Sequence, residues 1–422
     1  MNYVLIGLSA AAVNAATAIR SVDRLSSLTL VSDEAHPPYA RIFITNYLAG
    51  KARLEDMLID GSDLDARLGA AFKLGAKVVK VDADRRVVVL GSGEGLPYDR
   101  LLVASGSRPA LPDFPGADLP GVGGLRTLAD AAALLARASA CPGGRVVVLG
   151  GGLVSLKAAE ALTARGVKVT VVAASGQVLS QMADKAAAGM LQERMAAAGA
   201  GLILNDDVSA ARGGPAGIAC VELASGRSLD CCALVVGKGV VPNVEFLAGT
   251  GVETGKGVRV DERGRTSVAG IWAAGDVAET KDVTGRWAVH AMWPNAVKQG
   301  RAAGLDMAGS EAACQTSIRV NAGSFFGLNV ASVGLTRPPE GAAEIVTGPS
   351  GGYYRKVIVQ DGVVVGVVLA GDVNGAGVWQ SLVARAVPVA AFQAQLGKRS
   401  FGYQTILPQP WFEHTLPGTG RP

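Results

Sequence analysis

The stretch Val146–Ser175, VVVLGGGLVSLKAAEALTARGVKVTVVAAS, decides the fold. Four apolar residues run into three glycines, as a buried strand does when it ends in a tight turn. The following LVSLKAAEALTARG places its apolar and small residues on one helical face and stops at Gly166, a helix-ending glycine. VKVTVVAAS then reads as a second strand, completing a βαβ unit. Gly150, Gly152 and the small Ser155 occupy the three positions of a Gly-x-Gly-x-x-Gly turn. There the first glycine makes the turn, the second lets a pyrophosphate approach the backbone, and the third lets helix and strand pack closely. The strand end offers Ala173, Ala174 and Ser175. It has no acid for a ribose hydroxyl and no base for a 2′-phosphate; with nothing basic present, NAD is favoured and NADP is not excluded.

A second unit opens the chain. YVLIGLSAAAVNAATAIR, Tyr3–Arg20, repeats the strand–turn–helix pattern with Gly7, Ser9 and Ala12 in register with Gly150, Gly152 and Ser155. The first glycine is kept and the other two positions stay small, so helix-start N–H groups can still face a phosphate. The strand SLTLVS follows, and Asp33 and Glu34 stand just after it, about 20 residues on, where an acid would hold an adenosine ribose. Either imperfect turn alone is weak evidence, since such turns also serve packing. Two in one register point to two dinucleotides.

Size and composition agree. A chain of 422 residues exceeds one ordinary core and implies two or three domains. Its 56 glycines are nearly twice the usual ~7% and follow no repeat, as expected of backbone approaching ligands. A net charge of +4 with scattered bases and 5% aromatics argues against nucleic acid. No apolar run reaches the ~18 residues of a membrane span, and the start lacks a basic-then-apolar leader, so a cytoplasmic protein is expected. The five cysteines, at 141, 220, 231, 232 and 314, show no Cys-x-x-Cys spacing and fit reduced thiols. Cys231 and Cys232 fall in LDCCALVVG, which reads as a strand. His36, His290 and His414 are far apart and show no metal-ligand spacing; no metal is expected.

Further segments carry a resemblance. YDRLLVASGSRPALP ends an apolar strand at Ala104-Ser105-Gly106, and RTSVAGIWAAGDVAET ends another at Gly275-Asp276, with LRTLADAAAL and the second βαβ unit between them. In this order the chain resembles the FAD- and NAD(P)H-dependent pyridine nucleotide–disulfide oxidoreductases. The likeness is greatest to the branch holding ferredoxin and rubredoxin reductases and the flavin portion of NADH-dependent nitrite reductases. The resemblance implies an α/β fold with two Rossmann-like three-layer domains and a C-terminal α+β domain. It would place FAD on residues 1–112 with 250–316, the nicotinamide on 113–249, and a dimer or partner interface on 317–422.

It also implies roles. Gly7, Ser9 and Ala12 would lie beside the FAD pyrophosphate, and Asp33 or Glu34 would take its ribose. PPYARIFITNYLAGK is similar to a Pro-Tyr-x-Arg-Pro-x-Leu-Ser-Lys segment, putting Arg41 near the flavin nucleotide and Asn46 where relatives carry lysine. Ala104, Ser105 and Gly106 would form the exit turn. Asp276, after Gly275, would accept hydrogen bonds from the ribityl chain. MWPNAVKQGRAAG resembles a Trp-x-Asn-Ala-x-x-Gln-Gly run, so Trp293 and Asn295 would flank the isoalloxazine. Taken singly, Asp276 reads as a helix cap, Trp293 as core and Arg41 as surface; their joint order favours the cofactor.

The departures are as informative. No cysteine precedes Cys141, which removes the thiol chemistry that disulfide reductases carry beside the flavin. Lys157 stands two residues after Ser155, where many relatives carry glutamate. Its expected role is catalytic, facing the flavin–nicotinamide interface and favouring electron-rich reduced flavin; the alternative is a lysine that faces solvent from the helix. The expected reaction is hydride exchange between NAD(H) and FAD, with single electrons passing to an iron–sulfur protein or subunit, as in the FAD/NAD subunit of a tungsten-dependent aldehyde oxidoreductase complex. A non-catalytic FAD scaffold and an oxygen-consuming NADH oxidase are the alternatives. The tail FGYQTILPQPWFEHTLPGTGRP, with Trp411 and Phe412, is a candidate docking segment.

Overall fold

The computed structural model describes residues 1–281, 285–311 and 318–406. The docking tail beyond Ile406, with Trp411, Phe412 and His414, and also Cys314, lie outside the described residues. The chain divides into two compact units. Of the described residues, the first holds 1–149, 164–168, 208–281 and 285–311, and the second 150–163, 169–207 and 318–406.

The first unit is built on a five-stranded parallel sheet. Its order is Ile271–Ala273, Arg100–Val103, Asn2–Ile6, Ser27–Val31 and Ala71–Lys73. Successive residues of the central strand point to opposite faces. Tyr3 and Leu5 pack among the helices Ala10–Val22 and Trp293–Met307. Val4 and Ile6 pack on a three-stranded antiparallel sheet through Val81, Val88 and Leu90. Both faces are covered, which is why the strand YVLI reads as an unbroken apolar run. The result is three layers, as the sequence predicts for the first half.

Close helix packing explains the alanine run of the first helix. Gly300 and Gly304, one turn apart, face the backbone of Ala11 and Ala15. A Cβ on Gly300 would lie 2.2 Å from the Ala11 carbonyl oxygen, and one on Gly304 2.4 Å from that of Ala15. No side chain fits between the two backbones. Gly300→Ala must push the helices apart, and overpacking of this kind costs about 1–3 kcal/mol. We expect urea titration of the variant to show a loss of that size with an unchanged slope. The same helix is pinned at its far end by Asp306. Its buried carboxylate receives both arms of Arg265, at 2.7 and 2.8 Å, and the Trp272 indole N–H at 2.8 Å.

The rest of the first unit contains a parallel trio, Val122–Gly123, Ala233–Val236 and Arg145–Leu149, and an antiparallel meander, Val208–Gly214, Gly217–Leu223 and Ser228–Asp230. The strand expected through LDCCALVVG is two strands. Cys231 and Cys232 form the link between Ser228–Asp230 and Ala233–Val236. The reason is that the two halves pair with different sheets: Cys231 N–H donates to Ala219 O in the meander, and Cys232 N–H to Arg145 O at the start of the parallel trio. The expected burial holds for Cys231.

The second unit carries the helix Leu153–Ala164, the parallel strands Lys168–Ala173 and Gly201–Leu204, and the helix Lys185–Ala197. Gly166 takes φ +76°, the left-handed conformation expected of a helix-ending glycine. The C-terminal part is a five-stranded antiparallel sheet in the order Val320–Phe325, Leu328–Gly334, Val363–Ala370, Tyr353–Gln360, Ala343–Ser350. The hairpin expected around Asp361-Gly362 is present, with both residues at positive φ, +50° and +73°. The helix Ala376–Ala384 covers one face through the fully buried Trp379. On the other face Asp184 ties the sheet to the helix it caps. Its carboxylate accepts from Ala187 N–H at 3.1 Å, from Tyr354 O–H at 2.5 Å and from the buried Lys356 ammonium at 3.1 Å.

Candidate functional site

The parallel sheet of the first unit brings its predicted site residues to one edge. Gly7, Asp33–Glu34, Ala104–Gly106 and Gly275–Asp276 all follow the carboxyl ends of neighbouring strands. The chain leaves the central strand Asn2–Ile6 toward Ser27–Val31 on one side and later adds Arg100–Val103 on the other. This reversal of strand order opens the crevice in which α/β sheets hold ligands.

Gly7 anchors that crevice. Its φ is +122°, its N–H donates to Val31 O at 2.8 Å, and a Cβ there would lie 2.1 Å from the Ala104 carbonyl oxygen. The helix behind it begins at Ala10, capped by Ser9 without a side-chain hydrogen bond, and its first internal bond is Val13 N–H to Ser9 O. The N–H groups of that first turn have no acceptor within the helix, and the hydroxyl that could cap them is not spent. Ala12 is buried and adds no bulk. Such an end, with its positive dipole, suits a phosphate.

After the second strand, Asp33 is exposed, while Glu34 is engaged. Its carboxylate accepts from Tyr39 O–H at 2.6 Å and from Arg41. Burial, and the hydrogen bond to Glu34, push the Tyr39 phenol well above its ordinary value despite nearby Arg41, so Tyr39 stays an O–H donor. Arg41 also donates to Arg126 O at 3.3 Å and lies 5.4 Å over the Tyr39 ring. Asn46 sits half-buried in the short helix Ile44–Leu48.

At the other strands, Ser105 and Asn243 bond reciprocally: Ser105 Oγ donates to Asn243 O at 2.8 Å and Asn243 Nδ2 to Ser105 O at 3.1 Å. Gly106, at φ +66°, accepts from Asn243 N–H, which fixes the turn where the chain leaves this sheet. Gly275, at φ +83°, donates its N–H to the buried Gln299 side chain at 2.9 Å. Asp276 Oδ2 accepts from Arg126 at 2.8 Å and from Ser107 Oγ at 3.2 Å. Trp293 begins its helix, half-buried against the core. Asn295 is buried, and its side-chain nitrogen has no hydrogen-bond partner among the described residues. The glycine-lined cradle, the uncapped helix start, the exposed acid and the carboxylate at Asp276 fit FAD.

Several contributors carry no mark in the sequence. Arg126, Tyr39, Ser107, Asn243 and Gln299 all hold site residues in place. Arg126 lies in LRTLADAAAL and Gln299 in MWPNAVKQGRAAG, so the segments were visible and their partners were not.

The second unit holds the other turn. Gly150 takes φ +114° and donates to Val172 O at 2.7 Å; Gly152 O accepts from Leu156 N–H; Ser155 is fully buried. A Cβ on Gly151 would lie 3.1 Å from that of Ala173. Lys157 turns to Glu160, at 2.5 Å, and to Ser324 O, at 3.0 Å. Glu160 is one helical turn beyond Lys157, and that spacing was the signal available for the pair. Of the thiols, burial and the neighbouring Cys232 and Cys220 push Cys231 up to about 12. Burial and a hydrogen bond with Cys141 push Cys232 up to about 11. Neither is a thiolate near neutrality. Among the described residues no helix is long and apolar enough to cross a membrane, and no group of three or more His, Cys, Asp or Glu is arranged to hold a metal ion.

Comparison with known proteins agrees with this geometry. Residues 1–300 match the pyridine nucleotide-disulphide oxidoreductase family, and residues 320–386 the rubredoxin NAD+ reductase C-terminal domain. The chain is similar to the NADH-dependent phenylglyoxylate dehydrogenase subunit epsilon of Aromatoleum evansii, with 33% identity over 97% of this chain and 98% of that one. It is similar to a rubredoxin-NAD(+) reductase of Pseudomonas putida, with 30% identity over 67% of this chain and 73% of that one. Among solved structures, the covalent putidaredoxin reductase–putidaredoxin complex matches with a TM-score of 0.86 and 25% identity, over 96% of this chain and 97% of that one. Two glycine turns in one register and these matches lead to one conclusion: the chain belongs to the pyridine nucleotide-disulphide oxidoreductase family, and is an FAD- and NAD(P)-dependent oxidoreductase of the ferredoxin and rubredoxin reductase type.

Proposed function

We propose that this chain is the FAD/NAD subunit of a multi-subunit oxidoreductase and exchanges electrons between NAD(H) and an iron–sulfur subunit. The observation that carries this reading is the match, nearly end to end on both chains, to a subunit of an NADH-dependent dehydrogenase. In this reading residues 1–112 with 250–316 hold FAD, 113–249 hold the nicotinamide, and 317–422 meet the partner, in the cytoplasm. The parent reaction fits a two-electron oxidation of an aldehyde or 2-oxo acid, tungsten-dependent aldehyde oxidation included.

When bound, FAD supplies the exchange between a two-electron hydride and single electrons. The residues of the chain bind and orient. The N–H groups beside Gly7, Ser9 and Ala12 hold the pyrophosphate, and Asp33 holds the ribose while Glu34 fixes Arg41. Asp276, with Arg126 and Ser107, receives the ribityl hydroxyls. Trp293 and Asn295 border the ring, and Gly150, Gly152 and Ser155 seat the nicotinamide phosphates. Cys231 and Cys232 are kept protonated, so neither offers a thiolate to the flavin.

Mixing the flavin-loaded chain with NADH in a stopped-flow instrument tests the core of this. Rapid bleaching of the yellow colour, followed by reoxidation on adding a ferredoxin, is the expected result. A chain whose colour NADH leaves untouched is a scaffold, and one that consumes oxygen at the rate it consumes NADH is an oxidase.

A further inference from the structure

We propose that Lys157 and Glu160 form a latch between the helix of the nicotinamide turn and the tip of the hairpin Val320–Phe325/Leu328–Gly334, and that this latch sets NAD(H) affinity. It rests on the NAD(H) reading above and gives Lys157 a positioning role in place of flavin tuning.

The contacts are reciprocal. Lys157 Nζ donates to Glu160 Oε2 at 2.5 Å and to Ser324 O at 3.0 Å, and lies 6.0 Å over the buried Phe325 ring. Glu160 Oε1 accepts from Phe326 N–H at 2.9 Å. The helix therefore spends one cation on a hairpin carbonyl and one carboxylate on a hairpin N–H, and the two side chains fix each other. Both are about one-quarter exposed, at 26% and 23%, which leaves the pair partly shielded from water.

The hairpin tip shows the same coupling. Phe325 pairs with Leu328, so Phe326 and Gly327 form a two-residue turn, at φ +48° and +77°. Such turns favour Asn-Gly, because a bulky residue pays for positive φ. Phenylalanine holds this conformation here with its N–H on Glu160, a contact that draws the tip onto the helix. Lys157 and Glu160 lie within two turns of Ser155, on the helix whose first-turn N–H groups face the dinucleotide phosphates in the NAD(H) reading. Phosphate recognition depends on that aim, and a small tilt of the helix weakens it.

The test uses the full chain with FAD bound, as Glu160→Ala, Lys157→Gln and the double variant. NAD+ binding is read by calorimetry, NADH turnover with ferricyanide as acceptor, and the flavin midpoint potential by spectroelectrochemistry. We expect Glu160→Ala to weaken NAD+ binding and raise the NADH KM about tenfold with kcat within twofold. Lys157→Gln should follow in the same direction with an unmoved potential, and the double variant should be no worse than Glu160→Ala alone, because one latch is broken once. Unchanged NAD+ affinity in a Glu160→Ala protein that keeps the wild-type flavin spectrum and melting temperature would overturn the latch. So would a shifted potential with unchanged KM in Lys157→Gln. A wild-type chain that neither binds NAD+ nor oxidises NADH would overturn the NAD(H) reading itself, and the latch with it.

Discussion

Gly7→Val yields a colourless chain that still folds. The expectation follows from what surrounds Gly7. A side chain there meets the Ala104 carbonyl oxygen at 2.1 Å, and that oxygen cannot retreat. Ala104 N–H is bonded to Ile6 O at 2.8 Å, and Gly7 N–H to Val31 O at 2.8 Å, so three adjacent strands are tied together at this point. The strain falls on the turn between Gly7 and Ala10 instead. Valine also resists φ +122°, a conformation that costs of the order of 1–3 kcal/mol. Rotating that turn misdirects the helix-start N–H groups. We expect FAD affinity to fall at least a hundredfold, with flavin content of the purified protein near zero, while far-ultraviolet circular dichroism stays that of the parent. A yellow Gly7→Val protein with parent stability would refute the assignment of this turn to the flavin phosphates.

Sequence and structure meet best where the constraint is local. Both βαβ units were legible because a strand, a glycine turn and a small-residue helix are consecutive, and their steric logic is written in adjacent residues. The Asp361-Gly362 hairpin was legible for the same reason. Partner choice across the chain was not. Asp276 taken singly reads as a helix cap in GDVAET, yet its nearest partner, Arg126, lies 150 residues earlier. Asp33 and Glu34 are equivalent in sequence, and only Tyr39 and Arg41 distinguish them by engaging Glu34. Cys231 and Cys232 sit in an apolar run that looks continuous, and competition between two sheets breaks it. The Lys157–Glu160 spacing marks a pair on one helical face, but the Phe326 N–H that Glu160 also holds lies 166 residues on. Side-chain electrostatics over long sequence separation leave no periodic trace, so this layer of the site emerges only from coordinates.

The complementary substitution, Gly150→Val, leaves the chain yellow and silences it toward NADH. Gly150 holds φ +114° at the end of the apolar strand and donates its N–H to Val172 O at 2.7 Å. Its neighbour Gly151 accepts from Leu179 N–H, and a Cβ placed on Gly151 would lie 3.1 Å from that of Ala173, so the turn is held on this side and a valine at φ +114° strains it. Valine therefore bends the Gly150–Gly152 segment and lifts the start of the following helix off its phosphate-facing course. None of the cradle residues from Gly7 to Asn295 is in this segment, which is why flavin content should be that of the parent. The loss should appear in kcat/KM for NADH, by about a thousandfold, or about 4 kcal/mol of transition-state binding. Chemical reduction of the bound flavin by dithionite, which needs no nicotinamide seat, should proceed as in the parent. Measured together, the two glycine variants separate the sites: one loses colour, and the other keeps its colour and loses only the donor that bleaches it. If Gly150→Val were reduced by NADH as fast as the parent, the nicotinamide phosphates would have to bind elsewhere, and the register shared by Gly7 and Gly150 would reflect packing alone.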